Sequence, residues 1–362
     1  MTSRTAGGPV RLAVELDGDG AHPAAALGDE RPSAERLGPR ALIELVLAAE
    51  IAGFTLVTFD DSPLPPPGGL RLEALSRAAY VATRTNRIGL GATAHVTTTE
   101  PFHVATQLAS LDHASHGRAA WLVGAANEPD ALATIGTGPL DPAGLRREVT
   151  DVVEVVRRLW DSWEDDAVIK DVATGRYLDP DKVHHVDFEG AAFSVKGPLI
   201  TPRPPQGLPV VIAPEHLVDE ARPDVVLIGG SGLDDLRRRA HRARDSGTPR
   251  VFAEVEVLLN TREPAETRLK RLDSSARWEH TERLRYTGSA DGLADLLAWL
   301  GTVVDGVRLH PAVLATDLPP LLETVLPKLR AQGVLRPPEP GETLRAALGL
   351  PRPVNRFAAS RG

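Results

Sequence analysis

Three short stretches carry side chains suited to chemistry, and each follows a run of apolar residues. His22 lies in GDGAHPAA, Asp60 and Asp61 in FDDS, and Thr93 and His95 in GATAHV. A histidine titrates close to neutral pH and exchanges protons at its ring nitrogens. Carboxylates accept hydrogen bonds, and a threonine hydroxyl both donates and accepts. Such a set suits the orientation and protonation of a small bound molecule. Each has a plainer reading beside the catalytic one: Asp61 before Ser62 and a Pro-rich turn as a loop-capping carboxylate, His22 as an inert loop histidine, and His95 as a space filler.

The chain contains no cysteine, which excludes thiolate nucleophiles, zinc-thiolate sites and disulfides. His184 and His185 are adjacent, so on a strand they point to opposite faces and do not form a pair of metal ligands. Glu164, Asp165 and Asp166 read as a solvated charge run past a helix end. No metal site is expected.

The elements that must position these groups alternate in type. Strand candidates are Arg11–Leu16, Phe54–Phe59, Arg87–Ala94, Arg118–Val123, Pro209–Ala213, Asp224–Ile228, Val251–Leu259 and Gly306–His310, eight in all. Between them lie segments such as ALIELVLAAEIAG, HVATQLASLDHA and LDDLRRRAHRARD, whose apolar residues recur at helical spacing. Eight strand–helix units close a (β/α)8 barrel, an α/β fold of the TIM type. An open doubly wound sheet shares the same periodicity. In a barrel the active groups sit at the carboxyl ends of the strands, and His22, Asp60, Asp61, Thr93 and His95 all fall there. A Pro- and Gly-punctuated insertion from Trp163 to Gln206 separates strands four and five, with a small hairpin expected around HVDFEGAAFSV. The segment after Gly333 reads as an arm that wraps the barrel or a neighbouring subunit. The whole is one domain.

With 362 residues, 42% hydrophobic content and a net charge of −8, the chain is an ordinary globular protein with no basic cluster for a nucleic-acid or anionic-membrane partner. A small-molecule substrate fits better. Its apolar runs fall far below the ~20 residues that span a bilayer, and no apolar leader opens the sequence. A cytoplasmic location is expected.

Several motifs in order, ELDGDGAHPAA, AAEIAGFTLVTFDDS, TNRIGLGATAHVTTTEPFHVATQLASLDHASHGRAAW, the stretch from LWDSWEDD to GLPV, and TLRAALGLPRPVNR, resemble the luciferase-like flavin monooxygenases. The likeness is to the branch holding nitrilotriacetate, pristinamycin and dibenzothiophene-sulfone monooxygenases. It implies a barrel that takes reduced FMN from a separate flavin reductase and uses oxygen on a small organic substrate, and an assembly that is a homodimer or homotetramer. It places Asp61 at a flavin-proximal acidic position, His22 on the substrate side, and His95 beside the flavin, where the family has a small hydroxyl residue; Thr93, picked out by the carboxyl-end rule, is a cofactor-binding candidate with them.

The chain also departs from that pattern. Trp121 is followed by Leu122, Val123, Gly124 and Ala125 in place of an Asn and a Thr, and the helix before LWDSW offers Arg146 and Arg147 where a tyrosine reaches the phosphate. After strand five the Gly/Ser-rich turn that holds the phosphate is replaced by Pro214, Glu215 and Asp219, which predicts repulsion of a phosphate there. The GGSG turn at Gly229–Gly232 is a substitute anion site or a plain helix start. Weakened FMN binding is expected, with a flavin-free partner subunit or binding protein as the alternative reading and a deazaflavin-dependent oxidoreductase as a third.

Overall fold

The computed structural model describes residues 9–26, 35, 38–66, 70–218 and 221–359. Strands β1 (Arg11–Glu15), β2 (Leu56–Phe59), β3 (Gly89–His95) and β4 (Ala119–Gly124) pair in sequence. The insertion then contributes two antiparallel hairpins, β5 (Val168–Asp171) with β6 (Arg176–Leu178) and β7 (Phe188–Glu189) with β8 (Ser194–Val195). The barrel resumes with β9 (Val210–Pro214), β10 (Val225–Ile228), β11 (Arg250–Leu259) and β13 (Gly306–Pro311), and β13 pairs with β1 to close an all-parallel ring of eight strands. A further strand, β12 (Leu284–Gly288), lies outside that ring of eight. It pairs with Val255–Leu259 of β11, on the side where Arg250–Ala253 pair with β10. β10 therefore flanks β11 at the base of the barrel, and β12 flanks it at the mouth.

Helices α1 (Pro39–Ala52), α2 (Ala74–Ala82), α3 (Pro101–Ala114), α4 (Pro129–Ala133), α5 (Pro142–Asp161), α6 (Leu233–Asp245), α7 (Ala265–Asp273) and α8 (Ala290–Leu300) follow the strands. Their starts are written in the sequence. Proline occupies the first turn of α1, α3, α4 and α5, where its missing N–H costs nothing. Glu73, Glu100, Asp141 and Ser289 accept hydrogen bonds from the first free amides of α2, α3, α5 and α8.

Alternation along the strands divides the core into two shells. The outer shell packs strands on helices and holds Val14, Val57, Leu90, Trp121, Val211 and Val255 among others. The inner shell fills the lumen with Ala13, Leu56, Ala120, Leu122, Val210, Ile212, Val225, Leu227 and Phe252. Gly306 makes this filling possible, since a Cβ there would come within 2.4 Å of the Phe252 ring.

The arm after Gly333 stays with its own barrel. Leu344, Leu348 and Leu350 join the lumen cluster and seal the end opposite the mouth. Arg11 Nε and Arg250 Nε donate to the carbonyls of Ala347 and Leu348 at 3.1 and 2.7 Å, and Arg345 Nη2 donates to Asp224 Oδ1 at 2.7 Å.

Candidate active site

Inward-facing positions near the strand carboxyl ends build a polar layer above the lumen leucines. Arg308 of β13 is its centre. Its Nη2 contacts Glu15 of β1, its Nη1 donates to Glu254 Oε1 of β11 at 2.9 Å, and its Nε donates to Thr58 Oγ1 of β2 at 3.0 Å. Thr58 Oγ1 donates to Glu15 Oε2 at 2.8 Å, the Asp60 N–H donates to Glu15 Oε1 at 3.0 Å, and His310 Nε2 donates to Glu254 Oε1 at 3.1 Å. Behind them, Glu256 accepts from Thr281 Oγ1 at 2.9 Å and Arg285 Nε at 2.8 Å.

Burial sets the charges in this layer. It pushes the Glu15 carboxyl up to about 7, against the pull of Arg308. It opposes ionisation of Glu254 too, but there the His310 hydrogen bond and the guanidinium groups of Arg283 and Arg308 prevail and hold the carboxyl well below the usual range. Burial and the same two arginines push His310 down to about 3, so its ring is neutral and its Nε2–H is the donor to Glu254. Two acids of one network are thereby driven apart, Glu15 toward a proton reservoir and Glu254 toward a fixed anion, the pattern from which acid and base roles are made.

A chamber of about 340 Å3 opens onto this layer, walled by Glu15, Asp17, His22, Asp60, Arg308 and His310 among others. A second space of about 780 Å3 lies across β10 and β12, walled by Glu215, Leu227, Arg239, Arg242, Glu254 and Arg283 among others. Both fall in the size range of small-molecule sites.

The residues expected from the sequence take distinct places. His22 faces the chamber and is buried; its Nδ1 accepts the Ala24 N–H at 3.0 Å, and its Nε2 donates to Asp273 Oδ1 at 3.2 Å. Burial lowers its pKa despite Asp273. Asp60 lines the chamber and accepts from Thr93 Oγ1 at 3.3 Å. Asp61 stands one step back, where its carboxylate accepts the N–H groups of Ser62 and Ala74, both at 2.8 Å. His95 Nε2 donates to the Asp61 carbonyl at 3.1 Å, and its Nδ1 accepts the Ala126 N–H at 3.0 Å. The His95 ring covers Gly124, where a Cβ would come within 2.8 Å of it. Arg146 and Arg147 ride in the second turn of α5, outside the walls of both spaces.

The segment after β9 corrects one expectation. Glu215 is not a bare negative charge, because Arg239 Nη1 donates to it at 3.2 Å and Arg242 lies 3.9 Å away. Asp219 lies outside the described residues. In the GGSG turn the Gly230 N–H donates to the Glu282 carbonyl at 2.7 Å, and the Ser231 N–H donates to Asp235 Oδ2 at 3.2 Å. Those amides are spent on the fold. An FMN ring fits the mouth by chemistry, with Leu122, Ile212 and Leu227 as an apolar bed and the polar layer alongside. Its phosphate would have to be met by arginine side chains.

Glu15, Glu254, Glu256, Arg308 and His310 went unread in the sequence. A signal was present: in AEVEV and GVRLHP the charged or polar residues recur at every second position within buried strands, which puts each pair on one face.

Comparison with known proteins matches this geometry to a family. Residues 21–293 fit the model described as luciferase-like monooxygenase. The N-acetyl-S-(2-succino)cysteine monooxygenase of Bacillus subtilis (strain 168) is 28% identical over 96% of this chain and 98% of its own length. Component A of the nitrilotriacetate monooxygenase of Aminobacter aminovorans is 29% identical over 79% of this chain and 81% of its own. Among solved structures, a riboflavin lyase with modified FMN and riboflavin superposes with a TM-score of 0.83 at 23% identity, covering 96% of this chain and 97% of that one. A closed parallel barrel with a polar chamber at its carboxyl end, matched along most of its length by that family model, belongs to the luciferase-like monooxygenases.

Proposed function

We propose that the protein is a flavin-dependent monooxygenase that takes reduced FMN from a separate flavin reductase and oxygenates a small organic substrate in the cytoplasm, as a homodimer or homotetramer. The observation that carries this reading is the chamber at the strand carboxyl ends, with a buried carboxyl pushed up to about 7 in its wall. The family supports it, and so does the name of the Aminobacter relative, a component A. When bound, reduced FMN supplies two electrons with which oxygen is split between the substrate and water.

The chain's own residues bind, orient and move protons. Glu15 holds a proton near neutral pH, its Oε2 facing Thr58 and Arg308 and its Oε1 facing the Asp60 N–H. His22 forms the substrate-side wall. Thr93, Asp61 and His95 fix the loop that presents Asp60 on the flavin side. Arg146 and Arg147 are the outer candidates for the phosphate.

A second reading is favoured by the loss of amide donors after β9: a barrel without flavin, acting as a partner subunit or binding protein. Calorimetric titration with oxidised and reduced FMN separates the two. Micromolar or tighter binding of reduced FMN, with reductase-dependent oxygen uptake, is expected. No binding of either redox state at high micromolar protein would sink the flavin reading.

A further inference from the structure

Arg283 precedes β12 and lines both the 340 Å3 chamber and the 780 Å3 groove. Its side chain is 35% exposed, and its nearest carboxylates are Glu254 at 3.7 Å from Nε and Glu256 at 4.0 Å from Nη1. Both lie beyond hydrogen-bond reach. Among the described residues no hydrogen bond is made by the Arg283 guanidinium, in contrast to Arg308 and Arg285 beside it. The two glutamates are already committed at shorter range, Glu254 to Arg308 and His310, Glu256 to Arg285 and Thr281. They anchor Arg283 by field alone and leave its planar array of N–H donors open toward the two spaces.

We propose that Arg283 is an oxyanion-binding residue of this mouth, gripping a carboxylate or phosphate on the bound molecule. The chemistry follows from the side chain, since a guanidinium with free donors matches two oxygens of such a group at once. The surroundings follow suit. Arg242 also faces the groove, with Glu215 3.9 Å away as its nearest ion-pair partner. Arg239 faces it from behind, paired to Glu215 and Glu282. Among the described residues each carboxylate of the groove has an arginine within ion-pair distance, Glu215 and Glu282 sharing Arg239 and Glu254 taking Arg308, which offsets their repulsion of an arriving anion. The groove's position at the mouth lets the same residue serve a flavin phosphate or an acidic substrate. The proposal rests on the mouth being the ligand site and does not require turnover.

The experiment is equilibrium calorimetry on the full chain with FMN, riboflavin, succinate and inorganic phosphate as probes. Wild type is compared with Arg283→Gln, Arg283→Lys and, as a control, Arg84→Gln, an exposed arginine between α2 and the start of β3 that lines neither space, each checked for an unchanged circular dichroism spectrum and melting temperature. If the anion is the flavin phosphate, FMN binds wild type at least tenfold more tightly than riboflavin, and Arg283→Gln brings the two together. If it is a substrate carboxylate, succinate binds wild type, is weakened at least tenfold by Arg283→Gln and is partly restored by Arg283→Lys. Either result supports the assignment. Absence of flavin binding with Arg283-dependent succinate binding removes the flavin reading and leaves this one standing. Flavin binding that Arg283→Gln leaves unaltered, with no Arg283-dependent binding of succinate or phosphate, overturns the assignment and leaves the flavin reading intact. Should Arg283→Gln fail to fold, Arg283→Lys carries the test, because its single ammonium loses the paired contact and must still bind the anion more weakly than wild type.

Discussion

Arg308 lies between Glu15 and Glu254 with Thr58 beneath it, and the balance of that triad decides how the mouth responds to pH and to mutation. The folded Glu15 carboxyl sits near 7 against an ordinary value of 4.5, so the native state binds a proton that the unfolded state releases. Its contribution to stability is complete below about pH 4.5 and is lost as pH rises through about 7. Wild type is therefore expected to lose up to ~3 kcal/mol relative to Glu15→Gln between pH 4.5 and 8, the shift times 1.36 kcal/mol per unit. Urea unfolding of both proteins across that range checks it, and parallel curves would refute it. Removing the cation has a different consequence. Arg308→Met leaves Glu254 and Glu15 facing each other without their shared donor, and a loss of roughly 3 to 5 kcal/mol is expected at pH 8. The loss should shrink at low pH as the carboxyls protonate. None of this network was read from the sequence, because a charged residue inside an apolar strand is ambiguous until the parity of its neighbours tells lumen from exterior. The loop residues His22 and Asp60 were legible, since the carboxyl-end rule needs only the strand's last residue.

At the scale of elements, the barrel strands were legible because Val, Ile and Leu runs such as VVLI and VFAEVEVLL are buried on both faces. β12 was not: LRYTG has only Leu284 and Tyr286 to bury, and every residue in it is half-buried. Helix α7, AETRLKRLD, has an equally weak apolar pattern, with Arg268 taking a buried place by pairing with Asp317 at 2.7 Å. Lumen packing was invisible for another reason, since a glycine in a strand gives no sign of what lies opposite it. Gly306→Ala is expected to cost about 1 to 3 kcal/mol by driving a methyl group into the Phe252 ring. Phe252→Leu in the same chain should return part of that loss. Thermal melts of the two single variants and the double variant test the coupling, which strict additivity would disprove.

For the whole molecule, the sequence foresaw an arm but left open whether it served this barrel or a neighbour. The lumen is an apolar cylinder, and the side chains that close its floor belong to Leu344, Leu348 and Leu350. Leu344→Ala is expected to destabilise the protein by ~2 to 5 kcal/mol, with the unfolding transition remaining single because floor and lumen form one cluster. A separate early transition for the arm would contradict that. Because the arm is spent on its own barrel, it no longer argues for an oligomer, and subunit mass must be measured by light scattering against 38.7 kDa for one chain.

The floor also bears on how the protein is made. Leu344 follows β13 in the chain and Arg11 contacts Ala347, so β1 waits for a segment 336 residues further along. At ~5 to 20 residues per second of synthesis, tens of seconds pass in which strands leave the ribosome with their inner faces unsealed. Through that interval the nascent strands present apolar faces that nothing yet covers, and even after β13 closes the ring its floor stays open until Leu344, Leu348 and Leu350 emerge, which gives a chaperone that binds such surfaces its opportunity.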